Sequence, residues 1–155
     1  VLRLPSLVKR GDRLPVLQVR GLNTNTVGAV RKAMSIIENR KIEHKMKGLS
    51  YYRPWIILLT DGNPNPCSQS ELQSLLYDVS HSISENKFML TAIGIGNSVD
   101  KEFLSAISNN NYHRIGQANI STFFQALSAS MTMTYGDNPQ DNLSAELDNE
   151  LQNEI

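Results

Sequence analysis

The spacing of apolar side chains along the chain changes between a helical period and continuous runs of strand length. Apolar residues recur at helical spacing over residues 27–47, 68–86 and 119–133, and in a short segment capped by Ser98. Continuous apolar runs occupy Trp55–Thr60 and residues 88–95, and Tyr112–Ile115 is a shorter candidate strand. Because uninterrupted apolar strands are typical of parallel sheets covered on both faces, we predict an α/β fold. It is a three-layer, doubly wound, Rossmann-like arrangement around a mostly parallel sheet.

Local signals indicate where these helices begin and end. The segment from Ser68 to Glu71 has the spacing of a capping box, which predicts a helix start. Gly48 is predicted to end the first helix. The helical positions predicted to face the core are Val30, Met34, Ile37, Leu72, Leu75, Leu76, Val79, Ile83, Phe103, Leu104, Ile107, Ile120, Phe123, Phe124, Leu127 and Met131.

Length and composition fit one packed domain with a polar extension. The chain has 155 residues, of which 40% are hydrophobic and 19% are charged. From residue 135 onward Asn, Asp, Glu and Gln dominate. We therefore divide the chain into an α/β domain over residues 1–134 and an acidic, polar C-terminal tail over residues 135–155.

Charge is balanced overall but is distributed unevenly. Lys plus Arg and Asp plus Glu are 15 each, which argues against a protein that coats nucleic acid or an anionic membrane. Residues 1–50 carry 11 basic and 3 acidic side chains, and the tail carries 6 acidic and no basic ones. A solvated basic helix and an acidic tail explain this pattern, and a basic docking face for an acidic partner is the alternative.

Several classes of chemistry are excluded or disfavoured by the sequence. Cys67 is the single cysteine, so an intrachain disulfide and a paired-cysteine zinc site are excluded. The glycine pair Gly94 and Gly96 lacks the lysine of a phosphate loop and is interpreted as a tight turn. No nucleophile elbow is present. No apolar run approaches the length of a membrane span.

Candidate chemistry gathers at the carboxyl end of the Trp55–Thr60 strand, where open parallel sheets bind their ligands. Asp61 follows this strand directly and is able to supply a carboxylate to a hard cation such as Mg²⁺. Thr24 and Thr26, in the polar loop before the first helix, offer neutral hydroxyl groups. The alternative is that Asp61 only caps the turn that follows it.

Three stretches together resemble a von Willebrand factor type A domain: GLNTNTVGAVRKAM, YRPWIILLTDGNPN and FMLTAIGIGNSVDKEFLSAIS. A fourth, NISTFFQALSASMT, is similar to the bacterial TerY-like branch, which is associated with tellurium resistance. The resemblance implies a binding domain rather than an enzyme, and a cytoplasmic location. The resemblance covers about residues 1–134.

The resemblance implies a protein-interaction module with a metal-ion-dependent adhesion site (MIDAS). In this family a divalent cation, usually Mg²⁺ and alternatively Mn²⁺ or Ca²⁺, leaves one position open for an acidic side chain of a protein partner. Thr24 and Asp61 match two of its ligands, and Thr26, Gly62 and Asn63 would shape the site loops. No nucleic acid or membrane partner is implied.

The sequence departs from the family pattern because it contains no Asp-x-Ser-x-Ser motif. We therefore expect that the chain begins after the first strands of the family fold, and that a preceding segment or another chain supplies them. A metal-independent scaffold with a degenerate site is an alternative function. A metal-assisted hydrolase is a further alternative, but it requires a general base beside Asp61 that the sequence does not indicate.

Overall fold

The computed structural model describes residues 25–61, 67–116 and 119–131, together with Leu143. Within these residues helices and strands alternate along the chain. In chain order they are α1 (Thr26–Met46), β1 (Trp55–Thr60), α2 (Gln69–Ser84), β2 (Met89–Ile95), α3 (Lys101–Ile107), β3 (Tyr112–Ile115) and α4 (Ile120–Met131). The predicted element order is confirmed.

The described strands form one parallel sheet in the order β1-β2-β3. Trp55 pairs with Met89 and Thr60 with Gly94, so β1 and β2 run in register over their lengths. Because the strands are parallel, their carboxyl ends meet at one edge of the sheet, here called the carboxyl edge. The parallel sheet between helices confirms the α/β fold.

Helices α1 and α2 run in the same direction. The guanidinium of Arg31 contacts Asp78 Oδ2 at 3.1 Å and Ser74 Oγ at 3.0 Å near the middle of α2. Further along α1, the negative charge of Glu38 helps to raise the pKa of Lys87, which lies just beyond the end of α2. Since α2 begins after the end of β1, α1 also begins at the carboxyl edge.

Side-chain caps fix the starts of α2 and α3. The Ser68 hydroxyl accepts the Glu71 N–H at 3.2 Å, and the Glu71 carboxylate accepts the Ser68 N–H at 3.0 Å. The predicted capping box is therefore confirmed. The predicted Ser98 cap is wrong, because Asp100 caps α3 by accepting the Phe103 N–H at 2.9 Å. The carboxylate two residues later in the chain fills the role that we assigned to a hydroxyl.

The first face of the sheet is covered by α1, α2 and α3. Its buried cluster consists of Val30, Ile56, Leu75, Val79, Phe88, Leu90, Ala92, Val99, Phe103, Leu104 and Ile107. The predicted core residues Met34, Ile37, Leu72, Leu76 and Ile83 pack against it while partly buried. The core stripes predicted for these three helices are confirmed.

The second face is covered by α4 and by Leu143. Its buried cluster consists of Ile93, Ile115, Phe123, Ala126 and Leu143. Trp55, Ile57 and Ile95 pack against this cluster, and the Trp55 indole donates to Thr91 Oγ1 at 3.0 Å. Leu143 is the only described residue of the segment that we predicted as a polar tail, and its side chain is fully buried.

One core prediction for α4 is wrong. Phe124 was expected to face the core together with Phe123, yet its side chain is 53% exposed while Phe123 is fully buried. Adjacent helical residues point about 100° apart, so both cannot face the sheet equally. The two rings contact each other edge to face at 5.2 Å between centroids.

Candidate functional site

The carboxyl edge presents one described acidic side chain directly at the end of β1. Thr60, the last residue of the strand, is 6% exposed, and Asp61 beyond it is exposed to solvent. The position therefore changes from core to surface within one residue. This is the arrangement expected for a side chain that serves a crevice rather than the core.

The start of α1 lies at the same edge of the sheet. Asn25 caps the helix because its side-chain oxygen accepts the Gly28 N–H at 2.7 Å. A Cβ on Gly28 would come within 2.8 Å of the Asn25 amide, so a larger residue at this position would require the capping side chain to shift. Thr26 begins the helix and is 5% exposed. Its burial suits a residue that holds the loop in place.

The structure brings two of the predicted site residues, Thr26 and Asp61, to the carboxyl edge. Thr24, Gly62 and Asn63 lie outside the described residues. The alternative role of Asp61 as a cap of the following turn also involves residues outside the described part of the chain. The ligand pair Thr24 and Asp61 therefore stays a prediction.

The donor types at this edge fit a hard cation. A carboxylate and threonine hydroxyls are oxygen ligands, and Mg²⁺ commonly binds through one or two carboxylates while keeping several waters. Within the described ranges, no group of three or more His, Cys, Asp or Glu side chains comes together. Among the described residues, Asp61 is the carboxylate directly at the end of β1, and a single carboxylate is expected to bind a cation weakly.

The glycines at the end of β2 have a structural role. Gly96 adopts a φ of +85°, which places the chain in a turn that favours glycine. A Cβ on Gly94 would lie 2.8 Å from a Val99 methyl group and 2.9 Å from a Leu104 methyl group. The absence of a side chain therefore lets β2 pack closely against α3 and the loop before it. The geometry agrees with the predicted tight turn.

At the start of α2, near the same edge, the pKa of Glu71 is shifted by its neighbours. Hydrogen bonds from the side chain and backbone of Ser68 lower the pKa of Glu71, and Arg31 acts in the same direction. An ionised carboxylate in the first turn also favours the helix, because the helix N-terminus carries partial positive charge. The acidic group in this first turn is thus tied to the capping box.

Comparison with known protein families identifies the family of this domain. The family model of the von Willebrand factor type A (VWA) domain matches residues 12–142. The chain belongs to the VWA family. The match spans all seven described helices and strands. None of the curated proteins compared with the chain matches it. Within the part of the chain that the structure describes, no helix has the length and apolarity that crossing a bilayer requires.

The VWA domain has a second surface feature at the other end of α1. An open cavity of about 340 Å³ lies between α1 residues from Ile36 to His44 and the connection into β1, where Tyr51, Tyr52 and Pro54 form the opposite wall. We call it the α1 groove. The sequence signals for it were the basic excess of residues 1–50 and the two tyrosines.

Proposed function

We propose that this VWA domain is a protein-interaction module that binds its partner through a divalent cation at the carboxyl edge. Membership of the VWA family supports the general role, because the fold is widely used for protein interaction. The single observation that supports the cation site is the position of Asp61, an exposed carboxylate directly after a buried strand end. The donor chemistry at this edge fits Mg²⁺, with Mn²⁺ and Ca²⁺ as alternatives.

In this proposal each predicted residue has a defined role. Thr24 and Asp61 hold the cation through a hydroxyl and a carboxylate, and Thr26, Gly62 and Asn63 shape the surrounding loops. The bound cation keeps one coordination position open, and an acidic side chain of the protein partner would occupy it. Thr26 suits its role because it is buried where α1 begins.

The cellular setting is also a proposal and rests on the sequence resemblance. We place the domain in the bacterial TerY-like branch, in a cytoplasmic stress or tellurite-resistance system, without enzymatic activity. The first strands of the family fold would come from a preceding segment or from another chain. Within the described residues β1 pairs with β2.

Isothermal titration with Mg²⁺ and Mn²⁺ tests the cation directly. The wild-type chain is compared with Asp61→Asn, which keeps the shape of the side chain and removes its charge. Glu102→Gln is the matched control, because Glu102 is an exposed carboxylate in the first turn of α3, near the same edge. We expect saturable binding by the wild type and by Glu102→Gln, and loss of binding by Asp61→Asn.

Absence of saturable binding by the wild type would contradict the cation-dependent mechanism. It would favour a metal-independent scaffold in which helix faces or the acidic tail contact partners. Binding of equal strength in all three proteins would place the cation away from Asp61 and would likewise contradict the proposed site.

A further inference from the structure

The α1 groove combines an apolar interior with an excess of cations. Ile36 and Ile37 contribute aliphatic surface to it, and Tyr51, Tyr52 and Pro54 contribute the facing wall. A volume of about 340 Å³ falls in the range of protein ligand pockets. The groove is therefore large enough to receive one bulky apolar side chain together with part of the backbone that carries it.

The charges around the groove are mainly positive. Arg40 and Lys41 line it, and each forms an ion pair with a glutamate of the same helix. The Arg40 guanidinium lies 2.7 Å from Glu43 Oε2, and Lys41 Nζ lies 3.1 Å from Glu38 Oε1. Glu43 is shared with Lys47, so residues 36–47 carry four Lys and Arg side chains against two glutamates, an excess of two positive charges on and beside the groove.

His44, near the end of α1, also forms part of the groove wall. Its ring contacts Tyr51 edge to face at 5.8 Å between centroids, and its Nδ1 atom is buried away from the groove. Tyr52, opposite α1, is 77% exposed.

From these observations we propose that the α1 groove is a docking site for an acidic peptide segment of a partner protein. An aromatic or branched aliphatic side chain of the peptide enters between Ile37 and Tyr52. Its flanking carboxylates face Arg40 and Lys41, whose long side chains also cover apolar surface. Charge complementarity selects an acidic occupant, and the apolar interior selects an anchor residue.

This docking site is separate from the proposed cation site. Lys41 lies fifteen positions after Thr26 in α1, which corresponds to about 22 Å along a helix. Peptide binding in the groove is therefore expected to persist in a metal chelator and in Asp61→Asn. Failure of the cation proposal and failure of the groove proposal are distinguishable in this way.

A phage-displayed library of random 12-residue peptides, selected on the full chain, tests the groove. We expect enrichment of peptides with several Asp or Glu residues around one Leu, Ile or Phe. Affinity of the enriched peptides, measured by fluorescence anisotropy, should fall roughly tenfold when Arg40→Gln and Lys41→Gln are combined. The charge-matched control combines Lys32→Gln and Lys101→Gln, both exposed and outside the groove, and should bind like the wild type.

Tyr52→Ala tests the apolar wall with little risk to folding, since the side chain is mostly exposed. We expect a loss of roughly tenfold in affinity, while Tyr77→Ala, an equally exposed tyrosine on α2, leaves affinity unchanged. Enrichment without acidic residues, equal binding by all variants, or no enrichment would overturn the proposal. Enrichment only after Leu147→Asp and Leu151→Asp would assign the groove to the chain's own acidic tail, and would contradict an external partner.

Discussion

The first face of the sheet is packed by three described helices, whereas the second is packed by α4 and Leu143. Along β1 the difference is visible in single residues: Ile56 on the first face is 8% exposed, and Leu59 is 37% exposed. Both candidate surfaces, the carboxyl-edge site and the α1 groove, involve α1, which belongs to the first face. Both proposed binding surfaces therefore use a helix that packs on the first face. The segment after α4 instead packs on the second face, through Leu143.

The largest expected effect separates two adjacent aromatic residues of the second face. Phe123→Ala should lower the free energy of unfolding by about 3–5 kcal/mol, because it removes a fully buried ring from a small cluster. Phe124→Ala is the control, and its exposed ring should cost less than about 1 kcal/mol. Urea denaturation monitored by circular dichroism measures both. Equal losses would show that the second face does not depend on Phe123 in the way described.

The next effect concerns the contribution of Leu143 to the stability of the fold. Leu143→Ala should lower the free energy of unfolding by about 2–5 kcal/mol, because a fully buried leucine leaves a cavity. Leu49→Ala, at a leucine that is 53% exposed, should change it by about 0.5 kcal/mol. The same denaturation experiment applies. A negligible effect of Leu143→Ala would leave α4 as the main cover of the second face.

Much of the fold could be predicted from the sequence because its signals are local. The run from Trp55 to Thr60 has strand length and flanking turn residues, and Ser68 with Glu71 specifies a helix start through bonds between neighbours. The burial of Leu143 and the exposure of Phe124 could not be predicted in this way. Both depend on which part of the chain covers the second face, which is a tertiary contact without a local signature.

The candidate site could be predicted only in part, for a related reason. Asp61 follows from the strand that precedes it, so its position at the carboxyl edge is a consequence of the α/β fold. The direction of α1, which brings Thr26 to the same edge, is visible in the contacts of Arg31 with α2 and in the interaction of Glu38 with Lys87. The groove needed the structure as well, because Tyr51 and Ile37 are far apart along the chain.

A smaller effect tests the cap of α2 on the first face. Ser68→Ala removes the hydroxyl that accepts the Glu71 N–H and should cost about 1 kcal/mol of unfolding free energy. Ser80→Ala, at an exposed position inside α2, should be neutral or slightly stabilising, since alanine is the better helix former. Thermal denaturation compares the two variants. A larger loss in Ser80→Ala than in Ser68→Ala would contradict the importance of the capping box.

The smallest effect is the acid titration of Glu43 beside the α1 groove. Hydrogen bonds from Lys47 and Arg40 lower the pKa of Glu43 from 4.5 to about 2. Because the pKa is depressed in the folded chain, this contribution to stability is present above the ordinary value and is lost as the pH falls toward 2. Carboxyl NMR titration should show the low midpoint in the wild type and a higher one in Lys47→Ala. A wild-type midpoint near 4.5 would contradict the ion pairs.

Paramagnetic broadening by Mn²⁺ is the most direct test of a cation at the carboxyl edge. In amide NMR spectra of the full chain, sub-stoichiometric Mn²⁺ should broaden Thr26, Thr60 and Asp61, and leave His44 and Tyr51 of the groove sharp. Asp61→Asn should remove the effect. Uniform broadening at both ends of α1, or no broadening at Asp61, would contradict a cation-dependent interaction site at this edge of the VWA domain.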